Sequence, residues 1–308
     1  MQSSSRRAFL TGRRGAQTPW EAFCRAMRRA VEGSFFEFEL PGAEHSARLI
    51  PKQATDVLHA RKLCAEHGVL FALDGVPQAA RLDEQPVLWV EPGRDLSACR
   101  RLEAGSSKWF VQPGCLLGEL EAAGLAQFSD MPCHLSVAAW LADRTLCDWE
   151  AGATAKSGIV HASVLLADGA SVSLGAFGER NTKPLQGARL QQLIPALFRL
   201  AAGPDAQACR LAGRWPARYR LDALLPAPGR VVNLAHLLLG HGGDLGWIEW
   251  VVIDEGLAEP LGEPPYSERY TPRRAEESGV GLQASELDAG VKSLFDPSFR
   301  LPFPGQDL

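Results

Sequence analysis

The residues best suited to chemistry in this chain are glycines gathered in one turn. Residues 237–249 read Leu237-Leu238-Leu239-Gly240-His241-Gly242-Gly243-Asp244-Leu245-Gly246-Trp247-Ile248-Glu249. Glycine takes backbone angles closed to other residues and lets the main chain approach a ligand closely. Successive backbone N–H groups presented this way suit an anion such as a pyrophosphate. The plainer reading is a tight connection between a helix and a strand, and both readings stay open at this stage. No Gly-x-Gly-x-x-Gly opens a helix after a strand, so a Rossmann dinucleotide site is disfavoured. His134, His161, His236 and His241 show no helical metal-ligand spacing and read as structural or exposed. Asp143, Asp148 and Glu150 read as a solvated loop, with an acidic metal cluster the lesser alternative. Cys133 and Cys147 lack the histidine arrangement of a nucleophile.

Composition bounds the rest. The 308 residues are 46% hydrophobic and 22% charged, with a formal net charge of -4, as in ordinary soluble globular proteins. That balance leaves no footprint for nucleic acid, and no apolar run reaches the roughly 18 residues of a transmembrane helix. The seven cysteines, Cys24, Cys64, Cys99, Cys115, Cys133, Cys147 and Cys209, contain no Cys-x-x-Cys pair. They read as small buried hydrophobes in a reducing, cytoplasmic setting rather than as metal ligands or a disulfide framework. Ser5-Arg6-Arg7-Ala8-Phe9-Leu10 looks like a twin-arginine signal, but Thr11-Gly12-Arg13-Arg14-Gly15 follows where an apolar stretch is needed. An amphipathic helix is then expected from Pro19 to Val31, capped by Thr18 and presenting Trp20, Phe23, Met27 and Val31 on one side. We read it as a docking arm or a solvated helix.

Mixed elements must position these residues. Strands are expected at Ser34–Leu40, Arg48–Pro51, Val69–Leu73, Val87–Val90 and Trp109–Gly114. A helix from Ala54 to His67, ended by Gly68, joins the second and third of these into a β-α-β unit. A short helix spans Leu116–Ala123. Ile159–Ala167 and Ser171–Leu174 form a hairpin around Asp168-Gly169, a pair that favours the positive φ angles of a tight turn. A helix over Leu190–Ala201 and a strand over Trp247–Asp254 follow, and Leu257–Gly281 reads as an exposed connector. Short strands and helices so mixed indicate an α+β fold.

Taken in order, five segments resemble the FAD-binding (PCMH-type) domain of the vanillyl-alcohol oxidase and D-lactate dehydrogenase family of flavin oxidases. They are Leu49-Ile50-Pro51 through Asp74-Gly75-Val76-Pro77, then Val111-Gln112-Pro113-Gly114-Cys115-Leu116-Leu117-Gly118-Glu119-Leu120, then Val164-Leu165-Leu166-Ala167-Asp168-Gly169. The glycine turn and Val291-Lys292-Ser293-Leu294-Phe295-Asp296-Pro297 complete the set. The resemblance implies two α+β subdomains holding an extended FAD between them. It carries cofactor contact to Asp74, Gly75 and Val76 in the first loop, Ser136, Val137 and Ala138 in the second, and Gly243, Gly246 and Ile248 in the third. His241 becomes the candidate proton carrier, and Trp140 a candidate cover for the flavin edge. It also divides the chain into an arginine-rich arm (1–44), the FAD-binding domain (45–255), and a connector with a C-terminal segment packing back on it (256–308).

The chain departs from the family pattern at each loop. Asp74 places a carboxylate where phosphate is expected, and Pro77 removes a backbone donor. Ala138 and Ala139 stand where the second loop has glycines, and His241-Gly242 where the third has serine and glutamate. The substrate-cap domain is largely absent, a layout that resembles the smaller flavin subunit of glycolate oxidase. Two functions follow from the resemblance. The favoured one is an FAD-dependent dehydrogenase or oxidase subunit acting on a small 2-hydroxy acid, glycolate or D-lactate, beside a second flavin subunit and an iron–sulfur subunit. The alternative is a non-catalytic scaffold of the same fold, serving protein–protein interaction.

Overall fold

A computed structural model describes residues 18–38, 45–76, 85–178, 187–212, 214–226, 229, 231–259 and 279–303. Pro77, the twin-arginine segment and most of the proline-rich connector lie outside the described residues.

The first lobe is a four-stranded sheet in the order β1-β2-β4-β3, formed by β1 (Ser34–Phe38), β2 (Ser46–Ile50), β3 (Leu70–Leu73) and β4 (Val87–Val90). β4 lies parallel between β2 and β3, and β1 runs antiparallel to β2. The β-α-β unit is therefore split, because a strand that comes later in sequence inserts between its two strands. All four residues of β3 and of β4 are buried. That is what a continuous apolar run produces in a parallel strand covered on both faces. Helix α2 (Ala54–His67) crosses between β2 and β3 and ends at Gly68, whose φ of 70° is open to glycine.

Helix α1 (Pro19–Ala30) carries the expected cap: Glu21 N donates to Thr18 Oγ1 at 3.1 Å, and Thr18 N donates to Glu21 at 3.0 Å. It is neither a docking arm nor a solvated helix. Phe23 and Met27 are fully buried in the first core, and the helix packs on α2. The buried Asp56 carboxylate bolts it down by accepting from Glu32 N, Gly33 N and Lys52 N at 2.9–3.0 Å. Its arginines, Arg25, Arg28 and Arg29, occupy its exposed outer face.

The second lobe is a six-stranded antiparallel sheet in the order β5-β6-β10-β7-β8-β9. Its strands are β5 (Cys99–Arg101), β6 (Lys108–Val111), β7 (Ile159–Leu165), β8 (Ser171–Phe177), β9 (Val232–Asn233) and β10 (Trp247–Asp254). The β7–β8 hairpin turns at Gly169, φ 88°, with Ala170 N held by Asp168 Oδ1 at 2.9 Å. Helices α3 (Leu117–Ala122), α4 (Val137–Ala142), α5 (Ala188–Ala201), α6 (Pro204–Leu211) and α7 (Gly281–Phe295) accompany this sheet. One core fills the second lobe. The first lobe's core also takes in Ala138, Ala142, Leu165, Ala167, Trp247 and Leu301, so its wall is built partly from the second lobe. Phe71 and Trp247 meet edge to face across this junction at 6.1 Å.

Candidate functional site

The three segments singled out in the sequence converge where the two cores meet. β3 ends at Leu73, and Asp74 stays with the sheet through its N–H to Val90 O at 2.9 Å. Gly75, φ 81°, donates to Asp74 Oδ1 at 2.8 Å, and Val76 packs on the first core. The Asp74 carboxylate pairs with Arg48 at 2.6 Å, so its charge is met within the protein.

The second segment is the start of a helix rather than a loop. Ser136 caps α4, its hydroxyl accepting from Ala139 N at 3.2 Å. Val137 N and Ala138 N donate to Cys115 O and Pro113 O at 2.9 and 3.0 Å, which seats the helix on the Val111–Leu116 turn. A serine before an apolar run is itself a helix-start signal that the family pattern obscured. At its other end, α4 clamps the glycine turn: Leu141 O accepts from Gly240 N at 2.7 Å and Ala142 O from Gly242 N at 3.0 Å.

The glycine turn is buried from Gly240 to Ile248. Gly240, Gly242 and Gly243 have φ of 76°, 66° and 79°. A Cβ on Gly243 would stand 2.9 Å from Leu73 Cβ, so the third segment rests on the end of the first. A Cβ on Gly246 would meet Val164 at 2.6 Å, and Ile248 lies in the second-lobe core opposite Val164. The glycine turn, the end of α4 and the end of β3 thus meet, while Gly246 and Ile248 hold the turn to β7.

His241 is fully buried in this turn. Gly243 N donates to its Nδ1 at 3.2 Å, which puts the ring proton on Nε2, and that N–H has no hydrogen-bond partner among the described residues. Burial, aided by the Arg218 charge, pushes its pKa down to about 3, so the ring is a neutral donor at pH 7. Around it, Asp244 pairs with Arg218 at 3.2 Å, and its backbone carbonyl accepts from Lys292 Nζ at 2.8 Å. Lys292 also pairs with Asp296 at 2.8 Å. Asp288 accepts from the N–H groups of Arg218 and Tyr219 at 3.0 and 3.2 Å. Only folding brings Arg218 and Asp288 to the turn, so nothing local in the sequence marks them.

The remaining candidates do not gather here. His236 is buried between Thr154 Oγ1 and Ile159 O, at 3.0 and 2.7 Å. His161 stacks on Trp250, with ring centroids 5.5 Å apart, and His134 is exposed. Trp140 is fully buried against Phe128 in the second-lobe core, not at an edge where it would cover a ligand. Asp148, read as part of a solvated loop, has a side chain only 5% exposed and paired with Arg144 at 3.0 Å and Arg214 at 3.3 Å. Among the described residues no group of three or more His, Cys, Asp or Glu is placed to hold a metal ion. No described helix is long and apolar enough to cross a membrane.

The fit to FAD is unequal along the cofactor. A dry, glycine-lined turn with an orphaned N–H donor suits the edge of a flavin ring, which is apolar across its face and carries acceptors on its rim. Around the turn the amides of Asp74, Gly75, Val137, Ala138, Ala139, Gly242 and Gly243 are all bonded within the protein. None of these seven is free for a pyrophosphate.

No family model and no curated protein matches the chain. Among solved structures it is similar to 6-hydroxy-D-nicotine oxidase from Arthrobacter nicotinovorans, at 12% identity and a TM-score of 0.41 over 73% of this chain. It is likewise similar to a carbohydrate oxidase from Microdochium nivale (12%, 0.43, 75%) and to xylooligosaccharide oxidase from Myceliophthora thermophila (15%, 0.43, 76%). The chain spans 42% of the length of each of these three proteins.

Proposed function

We propose that this chain is the FAD-binding part of an FAD-dependent oxidoreductase. The observation that supports this best is that three segments far apart in sequence meet in one interior, Ala138 sharing a core with Leu73 and Val76 and Gly243 resting on Leu73, beside a buried turn where the His241 N–H has no acceptor among the described residues. Bound there, FAD would supply the hydride acceptor. The chain's own part is to keep the turn dry, to present the neutral His241 Nε2–H to the ring edge, and to hold that ring in place through the Gly243 N–H. Gly243, Leu73 and Val76 would flank the cofactor. In this reading the substrate is a small 2-hydroxy acid such as glycolate or D-lactate. Partner subunits, one a second flavin subunit and one an iron–sulfur subunit, close over the substrate and take the electrons in the cytoplasm. The sequence resemblance is the support for substrate, partners and location.

A second reading has its own observation. The seven committed amides favour a scaffold of the same fold that serves protein–protein interaction without a flavin. An absorbance scan of the purified protein between about 350 and 500 nm, before and after added FAD and desalting, separates the two. Retained flavin bands, perturbed in a His241→Phe variant that still folds, are expected for the oxidoreductase. A folded protein that retains no flavin overturns that reading in favour of the scaffold.

A further inference from the structure

One buried charge is left unmatched by the fold. Asp56 is met by backbone amides, Arg220 by Asp222 at 2.7 Å, Asp244 by Arg218 at 3.2 Å and Lys292 by Asp296 at 2.8 Å. Arg61 is the exception. It is 5% exposed, its Nε is buried without an acceptor, and no described residue gives its guanidinium a hydrogen bond or an ion pair. Burial pushes its pKa down, yet a guanidinium stays protonated at any physiological pH. A buried charge of this kind calls for a counter-charge.

Arg61 shares the inward side of α2 with Val57, four residues before it, and Cys64, three after. Val57, Ala60 and Cys64 lie in the first core with Phe71, Ala167 and Leu301. Arg61 therefore stands at the seam where the β7–β8 hairpin and the segment after α7 reach that core. Asp168 and Asp296, whose charges act on Arg61, are already engaged. Asp168 pairs with Arg189 at 3.1 Å and holds Ala170 N. Asp296 pairs with Lys292 and accepts from Arg300 N and Leu301 N at 2.9 Å. Arg300 enters the same seam, its carbonyl accepting from Phe71 N at 3.2 Å. Its half-buried side chain likewise has no partner among the described residues. Two carboxylates thus serve four cations, which leaves Arg61 and Arg300 over.

We propose that Arg61, with Arg300, binds a phosphate-type dianion at this seam, either inorganic phosphate or the phosphate of a small monoester. A dianion matches the two cations left over, and the planar guanidinium fork suits two phosphate oxygens at once. Bound there, it ties α2 to the hairpin and to the segment that closes the edge of β3. The inference is independent of whether the chain holds a flavin, because none of the three cofactor segments contributes to the seam.

Calorimetric titration of the purified full chain with sodium phosphate, and separately with glycerol 3-phosphate, tests this. The expected result is saturable binding, with a melting temperature that rises with phosphate but not with chloride at equal ionic strength. Arg61→Met keeps the bulk of the stem and removes the charge. It should weaken binding by about tenfold or more, as loss of a charge-assisted hydrogen bond does. Without phosphate it should unfold at a higher urea concentration than the wild type, because a buried unpaired charge is gone. Arg300→Met, at a half-buried position, should weaken binding with little change in the urea midpoint, and it decides the matter if Arg61→Met does not fold. Tighter binding of glycerol 3-phosphate identifies a monoester as the ligand, and tighter binding of the inorganic ion identifies phosphate itself. No saturable binding of either probe, affinity unchanged in either folded variant, or full competition by added FAD overturns the proposal.

Discussion

At the scale of single residues, burial of neutral imidazole makes a definite prediction. His236 and His241 are pushed down to about 4 and about 3, against 6.5 in an exposed ring, chiefly by burial. The unfolded chain therefore binds protons that the native state refuses. The stability this represents is present in full above about pH 6.5 and is lost as pH falls toward 4. Each ring contributes a slope of about 1.4 kcal/mol per pH unit in the lower part of that window. Urea titrations at pH 7, 6 and 5 should show falling stability, and a His236→Gln variant should show a shallower fall. Equal slopes in the two proteins would mean that His236 is protonated in the folded state. Gly243 gives a second residue-level test. At φ 79° and with its Cβ position 2.9 Å from Leu73 Cβ, Gly243→Ala meets both strain and a clash. The expected cost is roughly 1–3 kcal/mol. Leu73→Gly in the same chain removes that Cβ, so it should relieve the clash and leave the strain, which a double-mutant cycle reads as a positive coupling.

Between elements, the tie that matters is α7 to the glycine turn. Lys292 Nζ reaches Asp244 O and Asp296 at 2.8 Å each, and Asp296 also accepts from Arg300 N and Leu301 N at 2.9 Å. Phe71 N then donates to Arg300 O at 3.2 Å, so the chain after α7 closes the edge of β3. Lys292→Met keeps the bulk of the side chain but leaves the buried Asp296 charge without its cation. Losses of about 3–5 kcal/mol are typical for such a break. Chemical denaturation measures it, and a loss below about 1 kcal/mol would show that the two backbone donors suffice for Asp296. Flavin retention, if present in the parent, should fall with it, because the same lysine fixes Asp244 next to Gly243.

Across the whole molecule, the two lobes share their interior. Leu165, Ala167, Trp247 and Leu301 belong to the core beneath the first sheet, although the first three lie in or beside strands of the second. Unfolding one lobe would bare the other's wall, so a single cooperative thermal transition is expected. Far- and near-ultraviolet circular dichroism should give coincident melting curves; two separated transitions would show lobes that unfold independently. The sequence by itself determined much of the local structure. Capping by Thr18, the apolar runs of β3 and β4, the Gly68 stop, the Asp168-Gly169 hairpin and the glycine turn all follow from backbone preference and periodicity, which act over a few residues. It also marked the three segments that meet at the junction, through their likeness to a known pattern. Tertiary structure decided what those segments do to one another. The insertion of β4 between β2 and β3, the burial of α1 by Asp56 and the pairing of Asp74 with Arg48 all join residues through space. So does the His241 N–H, unpartnered among the described residues, because an acceptor is lost or gained only when the whole interior closes. Such contacts depend on which faces the two sheets present to each other, and local preference carries no information about that.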